Sequence, residues 1–256
     1  MNYSVFAAFK PRWVVAVIVA GGLVLLAGCT VWRLGEARNL ARASEPFTQS
    51  PANPRLHMLV LGDSTGVGTG ASSPTKSVAG LLGTAYPQLA IQNLARDGAK
   101  FEAVPGQIRA AVAPASGFDV ILVSAGGNDV ISGSDADEMT VALDASFIAA
   151  RQRLAEGGLL LVQPAGKVGN SPFFPLPLSG LMNERAGVMH QAVRSAAARH
   201  DAVLIDMARE KDNDPFVQNK ALNASDGLHP SDAGYRVWRD ELLSQSDLKS
   251  KLAPAQ

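Results

Sequence analysis

From residue 56 onward the chain alternates between short, unbroken apolar runs and longer stretches in which apolar residues recur every three or four positions. Leu56 to Leu61, Leu89 to Leu94, Phe118 to Ser124, Leu159 to Val162 and Ala202 to Ile205 are the runs. Without polar alternation they read as strands covered on both faces. The stretches between them predict helices over 77–86, 101–112, 139–154, 181–199 and 235–243, the third ended by Gly157-Gly158. Strand–helix alternation of this kind predicts a three-layer α/β/α domain, with a five-stranded parallel sheet between two helical layers. Ligands of such sheets bind beyond the carboxyl ends of the strands. The loops after the first three strands therefore converge on one edge.

The N-terminal pattern is different. Lys10 and Arg12 precede an uncharged run from Trp13 to Trp32. The run is too apolar and too continuous for a surface helix, and reads as a signal-peptide core or a membrane anchor. Leu26-Ala27-Gly28-Cys29 ends it as a bacterial lipoprotein signal ends, with small residues before a cysteine that would carry the lipid after cleavage. The competing reading is an uncleaved helix in which Cys29 is an ordinary thiol. Arg33, Arg38 and Arg42 just beyond the run weaken the charge bias that an inward-facing N-terminus prefers. Either way the domain is expected to be exported to a bacterial cell envelope and held at a membrane. Residues 30–54, ending in the turn-rich Thr48-Gln49-Ser50-Pro51-Ala52-Asn53-Pro54, are expected to be a tether, 55–249 the domain and 250–256 a tail.

Composition narrows the picture further. Apolar residues make up 47% of 256 residues, enough for one full core. Lys and Arg balance Asp and Glu at 23 each, so there is no basic excess of the kind nucleic-acid binding needs. Cys29 is the sole cysteine, so no disulfide braces the domain.

The candidate chemistry sits where the strands end. Ser64 lies in Gly62-Asp63-Ser64, Gly98 follows the second strand, and Asn128 lies in Gly126-Gly127-Asn128-Asp129 after the third. A serine needs a base to become a nucleophile. Of four histidines, His57 starts a strand at the wrong end of the sheet, His190 is mid-helix and His200 ends a helix. His229 lies in a turn three residues after Asp226, a spacing that lets the carboxylate reach one ring nitrogen while the other faces Ser64. The plain alternative makes Asp226 a helix cap and His229 a loop residue. A tetrahedral intermediate needs donors aimed at its oxygen, for which the Ser64 N–H, the Gly98 N–H and the Asn128 amide are candidates. The plain alternatives are a turn glycine and a turn-capping asparagine.

These blocks, in this order over about residues 56 to 245, resemble the SGNH hydrolase superfamily, also called GDSL lipases and esterases. The resemblance implies a flavodoxin-like sheet, a triad of Ser64, His229 and Asp226, an oxyanion hole of Ser64, Gly98 and Asn128, and ester or thioester hydrolysis with no metal or other cofactor. Thr65 stands where many members have leucine, and Gly127 where threonine is common. Two look-alikes fail. A nucleophile elbow of the α/β-hydrolase kind follows several strands, not the first. The run Gly66-Val67-Gly68-Thr69-Gly70 lacks the Gly-Lys-Ser/Thr ending of a phosphate loop. The expected protein is a membrane-tethered serine esterase acting on a small-molecule, lipid or glycan acyl ester. Its rivals are an acyltransferase or carbohydrate deacetylase of the same superfamily, and a non-catalytic binding lipoprotein on the same fold. The loop 163–180, with four prolines and Phe173, Phe174, Leu176 and Leu178, either overhangs the site or packs its apolar groups on the domain. The polar stretch 210–224 either rims the cleft or is solvated.

Overall fold

The computed structural model describes residues 11–253, apart from the side chains of residues 11, 12 and 23–27. Lys10, the side chains of Arg12, Leu26 and Ala27, and the last residues of the expected tail thus lie outside the described residues. Helix α1 (Pro11–Ala43) precedes the domain. Strand β1 (Leu56–Gly62) is followed by α2 (Ser64–Val67) and α3 (Val78–Ala85), and β2 (Leu89–Asn93) by α4 (Val104–Ala110). Strand β3 (Phe118–Ser124) leads into α5 (Gly127–Ser132) and α6 (Ala136–Arg151). After β4 (Leu154–Val162) come α7 (Leu178–Arg199), β5 (Val203–Leu204), α8 (Pro215–Gln218), α9 (Asp232–Ser244) and α10 (Leu248–Leu252).

All five strands pair in parallel in the order β2-β1-β3-β4-β5. Because the chain winds outward from β1 in both directions, the order reverses beside β1, and the crevice there is where such a sheet binds ligands. One apolar cluster packs α4, α6 and α7 against one face, with Leu59, Leu61, Ile121, Phe101 and Phe147 at its centre. The other packs α3, α9 and α10 against Met58, Val60 and Leu122, with Tyr235 and Trp238 covering them. The sheet is therefore sandwiched between helical layers, and its central strands have no wet face.

Three expectations need correction. The segment 30–54 is not a tether throughout: α1 runs unbroken to Ala43, and only 44–54 is extended chain. Its sequence from Arg33 to Ala43 is dominated by strong helix formers, and Ala37 packs against the core of the domain. The described start of the expected tail is part of the domain, because Leu252 belongs to α10 and is buried with Leu248. Arg55 donates to the carbonyls of Leu252 and Ala253 at 2.7 and 2.6 Å, joining the entry of β1 to the C-terminus. Finally, β4 begins at Leu154, not Leu159. Its pairing jumps from Phe118–Leu154 to Val120–Leu159, so Gly157-Gly158 form a bulge within the strand and do not end a helix.

Candidate active site

The end of β1 is shaped for a close crossing. Gly62 has φ +121°, and a Cβ on it would lie 1.9 Å from the Ser124 carbonyl oxygen at the end of β3. Only glycine fits there. The buried Gln107 amide clamps the same peptide, accepting from Gly62 N–H at 2.7 Å and donating to Gly62 C=O at 2.9 Å. Asp63 then caps α2, accepting from the Thr65 N–H and hydroxyl at 2.8 and 2.7 Å. Ser64 is thereby fixed as the first residue of a helical turn. Loops after neighbouring strands are tied across it: Thr69 Oγ1 donates to Asp97 at 2.6 Å, and the buried Tyr235 hydroxyl donates to Thr69 C=O at 2.8 Å.

His229 arrives from the other end of the chain. Asp226 Oδ1 accepts from the N–H groups of Leu228 and His229 at 2.9 and 3.1 Å, folding a tight turn with Gly227 at φ +72°. That turn points Asp226 Oδ2 at His229 Nδ1, 2.6 Å away, and His229 Nε2 lies 3.0 Å from Ser64 Oγ. Ser64, Asp226 and His229 are all buried. Burial alone would raise the Asp226 carboxyl. The hydrogen bond from His229, its charge and the two backbone donors outweigh burial and hold the carboxyl below the usual range, so it stays ionised beside the ring.

Ser64, Gly98, Asn128 and His229 line one cavity of about 330 Å³. Gly98 has φ +76° and open space where a Cβ would stand. Asn128 Nδ2 donates one proton to Ala99 C=O at 3.0 Å, leaving its second proton for a ligand. All residues singled out from the sequence thus meet here, except Cys29, which is exposed on α1. The other histidines are elsewhere: His57 lies beside Asp119, His200 bonds Asp144 at 2.8 Å, and His190 is on the buried side of α7. Among the described residues no three His, Cys, Asp or Glu side chains are placed to hold a metal ion.

The structure adds groups that sequence reasoning passed over. Asp63 is fully buried, and loss of solvent pushes its carboxyl up to about 6, against the pull of the two Thr65 donors and of His229. Asp129, also buried and raised for the same reason, accepts from Phe101 N–H at 3.2 Å and holds the chain that follows Gly98. Leu34, Ala37, Arg38 and Ala41 of α1 form part of the cavity wall. The loop after β4 divides the two roles considered for it: residues 165–168, 170 and 171 line the cavity, while Phe173 and Phe174 are buried in the core. Asp214, Phe216 and Asn223 bring the 210–224 stretch to the rim.

Several solved structures share this fold. A lipolytic protein of the G-D-S-L family from Veillonella parvula DSM 2008 superposes with a TM-score of 0.57 at 19% identity, over 73% of this chain and 96% of its own. An extracellular lipase from Streptomyces rimosus gives 0.58 at 18%, over 75% and 100%. A catalytic mutant of an acetylxylan esterase from Geobacillus stearothermophilus gives 0.56 at 17%, over 77% and 96%. No curated protein matches the sequence. Residues 60–237, from β1 into α9, match the GDSL-like lipase/acylhydrolase family as a sequence. The resemblance drawn from the four short blocks therefore holds across the domain, and the chain belongs to the GDSL-like lipase/acylhydrolase family of ester-hydrolysing enzymes.

Proposed function

We propose that the protein is a serine esterase in which Ser64 is the nucleophile, His229 the general base and acid, and Asp226 the residue that orients and stabilises the imidazolium. The observation that carries this reading is the continuous line Asp226 Oδ2–His229 Nδ1, 2.6 Å, and His229 Nε2–Ser64 Oγ, 3.0 Å. Ser64 Oγ attacks the acyl carbonyl while His229 Nε2 takes its proton. The carbonyl oxygen becomes an oxyanion and accepts from Ser64 N–H, Gly98 N–H and the free Asn128 amide proton. His229 then protonates the departing alcohol or thiol, leaving Ser64 acylated. Water attacks the acyl-enzyme as His229 again takes the proton, and collapse releases a carboxylic acid and restores the serine. A fluorophosphonate probe should label the native protein and not Ser64→Ala, which should also lose ester turnover. His229→Ala should be nearly as inactive, whereas His190→Ala and His200→Ala should stay active. Labelling of a Ser64→Ala protein would move the nucleophile elsewhere.

We propose further, from the N-terminal sequence, that the enzyme lies outside the bacterial cytoplasm, held by its N-terminus. The tether proposed is lipid on Cys29; among the described residues, which leave out the side chains of 23–27, no helix is long and apolar enough to cross a membrane. The supporting sequence is Leu26-Ala27-Gly28-Cys29. Cys29→Ser should block signal removal, so the protein runs larger on a gel and takes up no labelled fatty acid, while the domain keeps its esterase activity. A wild-type chain that carries no lipid and keeps its full mass would refute lipidation.

A further inference from the structure

We propose that α1 is the specificity wall of the active-site pocket: the acyl chain of the ester lies along Leu34 and Ala41, and these positions set the chain length that is accepted. The proposal rests on the serine-esterase reading of Ser64 and His229. Leu34, Ala37, Arg38 and Ala41 are spaced three, one and three residues apart, so they form one stripe on one face of the helix, and that stripe borders the cavity that holds Ser64 and His229. The stripe is made largely of small and apolar side chains. Alanines at 37 and 41 leave room beside the helix. Leu34, 42% exposed, faces the cavity together with Ile131, 38% exposed. Both leave apolar surface in water that a bound acyl chain would cover, favouring binding by about fourfold per buried methylene.

The helix is also fixed in place relative to the catalytic groups. The Arg33 guanidinium donates to Pro172 C=O, and the Ser225 hydroxyl donates to Glu36 at 2.6 Å. Ala37 packs against the larger core cluster. Ser225 adjoins Asp226, and Pro172 belongs to the loop that borders the cavity, so the wall is fastened to the segments that shape the site. A wall anchored beside Leu34 can discriminate by shape, because that end does not yield to a chain that is too long.

The test uses the full chain and p-nitrophenyl acetate and decanoate as substrates. Ala41→Trp fills the groove beside α1 and should lower the decanoate-to-acetate ratio of kcat/KM at least tenfold. Leu34→Ala adds no bulk and cannot displace the helix. It should lower the same ratio about fivefold, through KM for decanoate. Asn39→Trp, on the outer face of the same helix, should leave the ratio unchanged. An unchanged ratio in either cavity-facing variant, or an equal fall in Asn39→Trp, overturns the wall. A wild-type chain that hydrolyses neither ester overturns the esterase reading itself, and the two failures are thus told apart.

Discussion

Asp63 shows how burial redirects a side chain that looks like a simple cap. Its carboxyl titrates near 6 in the folded protein against 3.8 in the open chain. The native state therefore binds a proton that the unfolded state releases between those values, and folding stability falls as pH rises from about 4 to 6, then levels off. Asp63→Asn keeps the acceptor for both Thr65 donors but removes the titration. Its melting temperature relative to wild type should rise from pH 4 to pH 6 and stay constant above; a difference independent of pH would contradict a buried, proton-binding carboxyl. At Asn128 the effect should be catalytic. Asn128→Ala should lower kcat by roughly a hundredfold or more, the usual cost of one oxyanion donor, with little change in KM. A loss confined to KM would remove it from that role. The convergence of Ser64, Gly98, Asn128, Asp226 and His229 is legible in the sequence because each stands at a strand end or in a turn, and such loops gather at one edge of the sheet. Asp63 and Asp129 are not, because what sets them apart is the surface that covers them, and that surface is assembled from distant segments.

At the scale of the element, the five strands and the main helices were legible because a parallel sheet buried on both faces writes itself as unbroken apolar runs. The misreadings came where that signal thins. Gly157-Gly158 resembled a stop but forms a bulge, since a strand beginning at Leu154 crosses the edge of the sheet before its buried part starts. The helix from Arg33 to Ala43 has few apolar residues, and its three arginines look like solvated chain, although Arg33 bonds Pro172 and Arg38 borders the cavity. Helix α10 is five residues long, too short for periodicity to show, yet Leu248 and Leu252 are buried. Leu252→Ala should cost on the order of 2–3 kcal/mol of unfolding free energy, read as a lower midpoint in urea at unchanged slope. A loss below about 0.5 kcal/mol, the usual range for surface changes, would return residues 250–256 to the status of a tail.

For the whole molecule, the sheet order puts β1 and β3 side by side, so that loops far apart in sequence share one mouth. The topology was readable from the alternation of elements, and the site from the rule that loops gather at the carboxyl edge. The contact of α1 with that mouth was not readable, because no local pattern states which loops a preceding helix will meet. The pairing of Ser64 with His229 joins residues 165 positions apart. A ribosome adding about 5–20 residues per second takes roughly ten to thirty seconds to travel from one to the other. Under the mechanism proposed above, the serine is an ordinary alcohol during that interval, and a polypeptide interrupted just before the Asp226 turn has β1 through β5 but lacks the base that activates it.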